Sequence, residues 1–207
     1  MIDSYSSIKE GVFTLEIKRS EFIAYSFPID DENDAVKKLA AIRKKHYDAR
    51  HVCYAYVADA DGMIARFSDD GEPGGTAGKP ILDVIKKNGL KKSLIAVVRY
   101  FGGILLGAGG LTRAYSDSAA GVVKQFGVVT FTRKSLLSVK TDYSTYKKIS
   151  AAIKNAGETV SVEYDSAVTA MLACDNAEKA KALLTEMTNG AADVKILGEK
   201  YFSLERK

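Results

Sequence analysis

No run in the 207-residue chain approaches the roughly 18 consecutive apolar residues that a bilayer-spanning helix needs. The opening stretch MIDSYSSIKEG has neither a basic n-region nor an apolar h-region, so a cytoplasmic location without membrane contact is expected. Cysteine is confined to Cys53 and Cys174, which lie far apart and lack a CxxC partner. That spacing argues against a disulfide framework and against a zinc ribbon, and both residues are expected as reduced thiols on buried strands. With only His46 and His51 available, any Ser-His-Asp or Cys-His arrangement has to use one of them. His51 stands two residues before Cys53, and i, i+2 residues of a strand share a face. A thiol-imidazole pair is therefore geometrically possible, beside the plainer reading of a hydrogen-bonded structural histidine.

Apolar residues make up 46% of the chain, enough for the core of one large or two small domains. The net charge of +4 is unevenly placed. Residues 1–134 hold 20 Lys+Arg against 16 Asp+Glu, and residues 135–207 hold 10 against 10. This bias falls well short of the basic stripe of a dedicated duplex-DNA binder.

In chain order, FTLEIK and EFIAYSF read as a hairpin turning at Arg19-Ser20. Asp30 or Asp31 can cap a helix whose apolar Ala35, Leu39 and Ile42 recur at helical spacing. HVCYAYVA (51–58) is apolar on both alternating faces, as a central strand would be. IARFS follows as its hairpin partner, then a short helix after Pro80 that stops at Gly89. SLIAVVRY (93–100) is another buried strand, and a helix is predicted over 111–126. From residue 135 the order is strand, helix, strand, strand, helix, strand, which is the ferredoxin-like, split βαβ arrangement. In the second of those helices Ala180, Leu183, Leu184 and Met187 form the stripe expected to face the sheet.

Two glycine-rich signatures concentrate the chemistry. SDDGEPGGTAGKP sets Asp69, Asp70 and Glu72 among four glycines, a loop able to present backbone N–H groups to an anion. It is not a Walker A loop, because Pro73 stands at the first Gly position and Pro80 at the Ser/Thr. Its acids can be read as hard-cation ligands or as partner contacts; alternatively Asp69 and Asp70 cap the turn and pair with Arg66, Lys79 or Arg99. RYFGGILLGAGGLTRAYS places Gly102, Gly103, Gly109 and Gly110 between a buried strand and a helix, with Thr112 and Arg113 expected in that helix's first turn. Such a junction suits phosphate or carboxylate, although the glycines do not fit G-x-G-x-x-G. They can equally serve tight strand-to-helix packing.

Taken with EFIAYSFPI and DARHVCYAYV, the two signatures at this separation resemble those of the IMPACT/YigZ family of translation-associated proteins over essentially the whole chain. The resemblance implies an α+β protein with two parts. Residues 1–134 would form an N-terminal α/β domain similar to domain IV of elongation factor G. Residues 135–207 would form a ferredoxin-like domain similar to the last domain of that factor. Eukaryotic members act as non-catalytic regulators of translation initiation, and the two-domain form is similar to the bacterial type. A non-catalytic binding protein is thus expected, with the ribosome, RNA or a translation-associated protein as partner and no metal or cofactor. Arg50, His51, Arg66, Lys79, Arg99 and Arg113 would meet phosphate or acidic side chains around the glycine loops. The competing reading is an enzyme, a metal-assisted hydrolase or transferase. It would act on a small phosphorylated or carboxylated substrate at Asp69, Asp70, Glu72 and the 102–110 loop.

Overall fold

Apolar alternation builds the first sheet. β1 (Ser4–Ile8), not read from the sequence, is not one of its strands but delivers the fully buried Ile8 to the core. β2 (Gly11–Ile17) and β3 (Ser20–Pro28) pair antiparallel with Ile17 opposite Ser20, so the reversal falls on Lys18-Arg19, one residue earlier than expected. Both turn residues have positive φ, 47° and 65°, which a tight hairpin demands but which neither side chain advertises. The computed structural model describes residues 2–203. Met1 and residues 204–207, the outer ends of the two expected domains, lie outside the described residues. The chain divides into two compact units, 2–130 and 131–203.

In the first unit α1 (Glu32–Lys45) starts at Asp31, whose carboxylate accepts the Asp34 N–H at 2.8 Å. Then come β4 (His51–Val57), β5 (Ala65–Ser68), α2 (Gly78–Lys87), β6 (Ser93–Tyr100) and α3 (Gly107–Phe126). The strands order as β2-β3-β6-β4-β5, with every neighbour antiparallel. One face of this sheet packs Phe22, Cys53, Ala55, Ile95 and Val97 against α2 and α3. The other packs Tyr25, Val52, Tyr56 and Leu94 against Ala35, Leu39 and Ile42 of α1, the three residues expected there. Covered on both faces, β6 is buried from Ser93 to Arg99.

The second unit holds β7 (Val128–Thr141) from Phe131 onward, α4 (Tyr143–Ala156), β8 (Glu158–Tyr164), β9 (Val168–Cys174), α5 (Ala177–Met187) and β10 (Asp193–Ser203). Its strands order as β10-β7-β9-β8, all antiparallel, with two crossover helices: the split βαβ order of the sequence pattern. β7 begins eight residues before the expected run LLSVKT (136–141) and passes straight through the expected boundary. The helical stripe is narrower than expected. Ala180 and Leu184 are buried, whereas Leu183 is 37% and Met187 51% exposed. Residues four apart lie directly above one another on a helix, and that single row joins the core of the second unit, where α5 lies against α4 and β10. Cys53 and Cys174 are both buried free thiols, as expected. Among the described residues no helix is long and apolar enough to cross a membrane.

Candidate functional site

Register places three residues side by side at one end of the first sheet. Phe22 of β3 stands opposite Arg99 of β6, and Arg99 opposite His51 of β4. All three project to the face carrying α2 and α3, because they continue the alternation that buries Cys53 and Val97 there. Arg99 is held from three sides. Its Nη1 donates to Glu72 Oε1 at 2.7 Å, and its guanidinium lies 5.5 Å from the ring centroids of both Phe22 and Phe101. The side chains of Arg99 and Glu72 are 7% and 4% exposed, so this is a buried ion pair. The same Glu72 oxygen accepts the Tyr115 O–H at 2.8 Å, and the Tyr115 hydroxyl oxygen lies 3.3 Å from the Cys53 sulfur. Burial pushes the Cys53 thiol up to about 12, and raises the Tyr115 phenol with help from neighbouring Cys53 and Glu72. Neither is a nucleophile near neutral pH.

The acids of the first signature tie their loop to five different elements. Asp69 Oδ1 accepts the N–H groups of Ala77 and Gly78 at 2.9 and 2.8 Å, and Oδ2 accepts that of Gly75 at 2.8 Å. It therefore caps α2, whose own N-cap, Ala77, has no side chain to do so. Asp70 Oδ2 accepts the Val52 N–H of β4 at 2.7 Å, while Oδ1 meets Arg43 of α1 at 2.8 Å. Glu72 closes the loop onto β6 and α3. Burial alone would raise Asp69 and Asp70, but the N–H groups on Asp69, and Arg43 with the Val52 N–H on Asp70, hold both below the usual carboxylate range. Stability from a depressed carboxyl is complete above its unfolded value near 3.9 and is lost as pH falls through the lower folded value. Asp69→Ala should therefore lower stability by about 1–2 kcal/mol at pH 7, the usual loss for a helix cap. That deficit should shrink as the pH drops below about 4. Urea melts of both proteins at pH 7 and pH 3 measure it, and a deficit unchanged between them would contradict the role of the charge.

Beside Arg99 a hollow of about 240 Å³ opens between Asp48, Arg50, His51, Tyr100 and Phe101. A hydrogen-bonded chain runs from Asp48 on its rim to Tyr25. The Tyr100 O–H donates to Asp48 at 3.0 Å, so His46 Nδ1–H donates to Tyr100 at 2.9 Å and Nε2 accepts from Tyr25 at 2.7 Å. Burial, assisted by Lys45, lowers the His46 pKa and favours this neutral ring. His51 does not pair with Cys53. Its Nδ1 donates to the Asp70 carbonyl at 2.9 Å, and the Cys53 thiol instead donates to the Asp69 carbonyl at 2.9 Å.

Residues 18–123 match the family model described as Impact N-terminal domain, and residues 139–191 match one described as a domain of unknown function (DUF1949). The chain belongs to the IMPACT family. It is 36% identical to the IMPACT family member YvyE of Bacillus subtilis (strain 168), covering 94% of this chain and 92% of that one. It is 34% identical to the IMPACT family member YigZ of Escherichia coli (strain K12), covering 89% and 93%. A solved structure titled "Crystal structure of an hypothetical protein" superposes with a TM-score of 0.66 at 32% identity, covering 94% of this chain and 97% of that one.

In this IMPACT family chain the expected site residues separate into two groups. The fold brings His51, Asp69, Asp70, Glu72, Arg99 and Gly102 together at one end of the sheet, with Arg50 on the rim of the hollow. Arg66, Lys79 and Arg113 stay exposed; Arg66 approaches Glu32 at 3.7 Å, and Lys79 pairs with Asp83 one helical turn on. Asp69 caps as that reading has it, but with backbone N–H groups and none of the expected basic partners, and Asp70 takes Arg43 in their place. The second signature also differs from expectation. α3 starts at Gly107, so Gly109 and Gly110 are helical and Thr112 and Arg113 lie in the second turn, with Thr112 Oγ1 donating back to the Ala108 carbonyl at 3.0 Å. Sequence reasoning missed Phe22, Arg43, Asp48, Phe101 and Tyr115. Only the helical spacing of Tyr115 carried a signal, and it pointed to core. Among the described residues no group of three or more His, Cys, Asp or Glu is arranged to hold a metal ion.

Proposed function

We propose that this protein is a non-catalytic, cytoplasmic binding protein of the translation apparatus, meeting RNA, the ribosome or a translation-associated protein through the glycine-loop face of its N-terminal unit. One observation carries the reading: the three acids of the first signature are engaged inside the fold, while basic groups remain at the hollow and around it. An enzyme using Asp69, Asp70 and Glu72 on a metal or as acid and base would need them free. Each already accepts hydrogen bonds that fix a neighbouring element. Exposed Arg50, Arg66 and Arg113 suit phosphate or carboxylate, since the guanidinium fork pairs with either. The family resemblance, whose eukaryotic members regulate translation initiation, supports the same direction.

Wild-type protein is expected to co-sediment with ribosomes from native lysate at low salt. Arg50→Ala with Arg113→Ala should weaken that association and reduce the slope of log affinity against log salt by about 0.7–0.9 per lost phosphate contact. A nuclease-treated arm separates RNA from protein contact. Wild-type protein found free of ribosomes, and with no partner in either arm, would remove the reading.

A further inference from the structure

As a refinement of the binding role above, we propose that the hollow beside Phe101 holds a phosphate of single-stranded RNA, with the adjoining base stacked on the Phe101 ring. Arg99 is prepared for an anion. Two rings and one carboxylate fix its plane, Glu72 engages only Nη1, and Nε is buried with no hydrogen-bond partner. A guanidinium carries five N–H donors, so most of the fork is left over from the internal pair. Being already immobilised, it would lose little side-chain freedom on binding.

Arg50, exposed on the same rim, has no ion-pair or hydrogen-bond partner among the described residues. The carboxylate that lines the hollow, Asp48, is taken up by the Tyr100 O–H. Two guanidinium groups thus face a hollow lined by a single carboxylate. Phe101 is 51% exposed, and an exposed aromatic ring is the kind of surface on which bases stack. At about 240 Å³ the hollow is smaller than the roughly 300–1,000 Å³ of pockets that enclose a whole small ligand. It fits one unit of a chain that continues past the rim, a strand and not a free nucleotide.

The test is fluorescence anisotropy of the full-length protein with a labelled oligouridylate of about eight nucleotides at low salt. Arg50→Ala and Phe101→Ala alter exposed side chains, and thermal melts check that each variant stays folded. Each is expected to weaken binding about tenfold. Lys154→Ala, on α4 of the other unit, should leave it unchanged. Uridine monophosphate and inorganic phosphate should displace the strand far less well than unlabelled strand does. Wild-type protein that ignores the oligomer, variants that bind it as tightly as wild type, or displacement by inorganic phosphate as effective as by strand would each overturn the assignment. Ribosome co-sedimentation that survives both substitutions would also end it, while leaving the broader binding role standing.

Discussion

Glu72→Ala is expected to lower the unfolding free energy by about 3–5 kcal/mol, enough to consume a large part of the stability of a domain this size. The side chain is 4% exposed and accepts from two buried groups, Arg99 at 7% and Tyr115 at 0% exposure. Removing it strands a charge and a hydroxyl together in the core. The pair itself need not be strongly favourable, because desolvating two ions offsets much of their attraction; the loss comes from leaving one ion behind. Two further variants separate these effects. Glu72→Gln keeps an oxygen for Arg99 and Tyr115 and removes only the charge, so its deficit should be smaller. Glu72→Leu with Arg99→Met removes both ions, and should be more stable than Glu72→Ala alone. Urea melts at pH 7 give the order, read as midpoint shifts at constant slope. If the double variant were the least stable of the three, the buried pair would be contributing directly.

Elements with a strong period were legible in the sequence, and so was the alternation of faces that makes β4 and β6 interior strands. Hidden features depend on partners distant in the chain. Lys18 and Arg19 form a turn with none of the usual turn residues, because the register of β2 on β3 imposes positive φ there. α3 begins four residues before its first apolar position, since periodicity marks only the part of a helix that packs. At the site, the density of acids and glycines was visible, and its position at one sheet end follows from strands that the sequence did predict. What the acids do was not. Asp70 reaches Arg43, 27 positions earlier on α1, and Glu72 reaches Arg99, 27 positions later on β6. No local spacing encodes such pairs. A loop dense in carboxylates looks like a place for a ligand when its partners are unseen, and like a bracket between helices and strands once they are placed.

The second large effect separates packing from binding within the glycines themselves. Gly102→Ala should destabilise the N-terminal unit by about 3 kcal/mol, the upper end for overpacking. A Cβ there would lie 2.0 Å from the Arg19 carbonyl carbon, 2.1 Å from its oxygen and 2.5 Å from the Ser20 nitrogen. These are backbone atoms of the β2–β3 turn, already constrained by its positive φ values, so no rotamer change relieves the clash. The Gly102 N–H also donates to Ser20 Oγ at 3.1 Å, a bond that separation would break. Gly109→Ala is the opposite case. Nothing lies within 4 Å of its Cβ position, its φ is not in the left-handed region, and it sits in the first turn of α3. Alanine there should be neutral or stabilising by up to about 1 kcal/mol. If Gly109 is nevertheless needed for partner binding, the reason must be access to the N–H groups of that turn, which no side chain at the N-cap engages. A Gly109→Ala protein that melts no earlier than wild type and yet leaves the ribosome fraction would locate the contact at the start of α3. If it stays bound, the start of α3 is not where the partner contact lies.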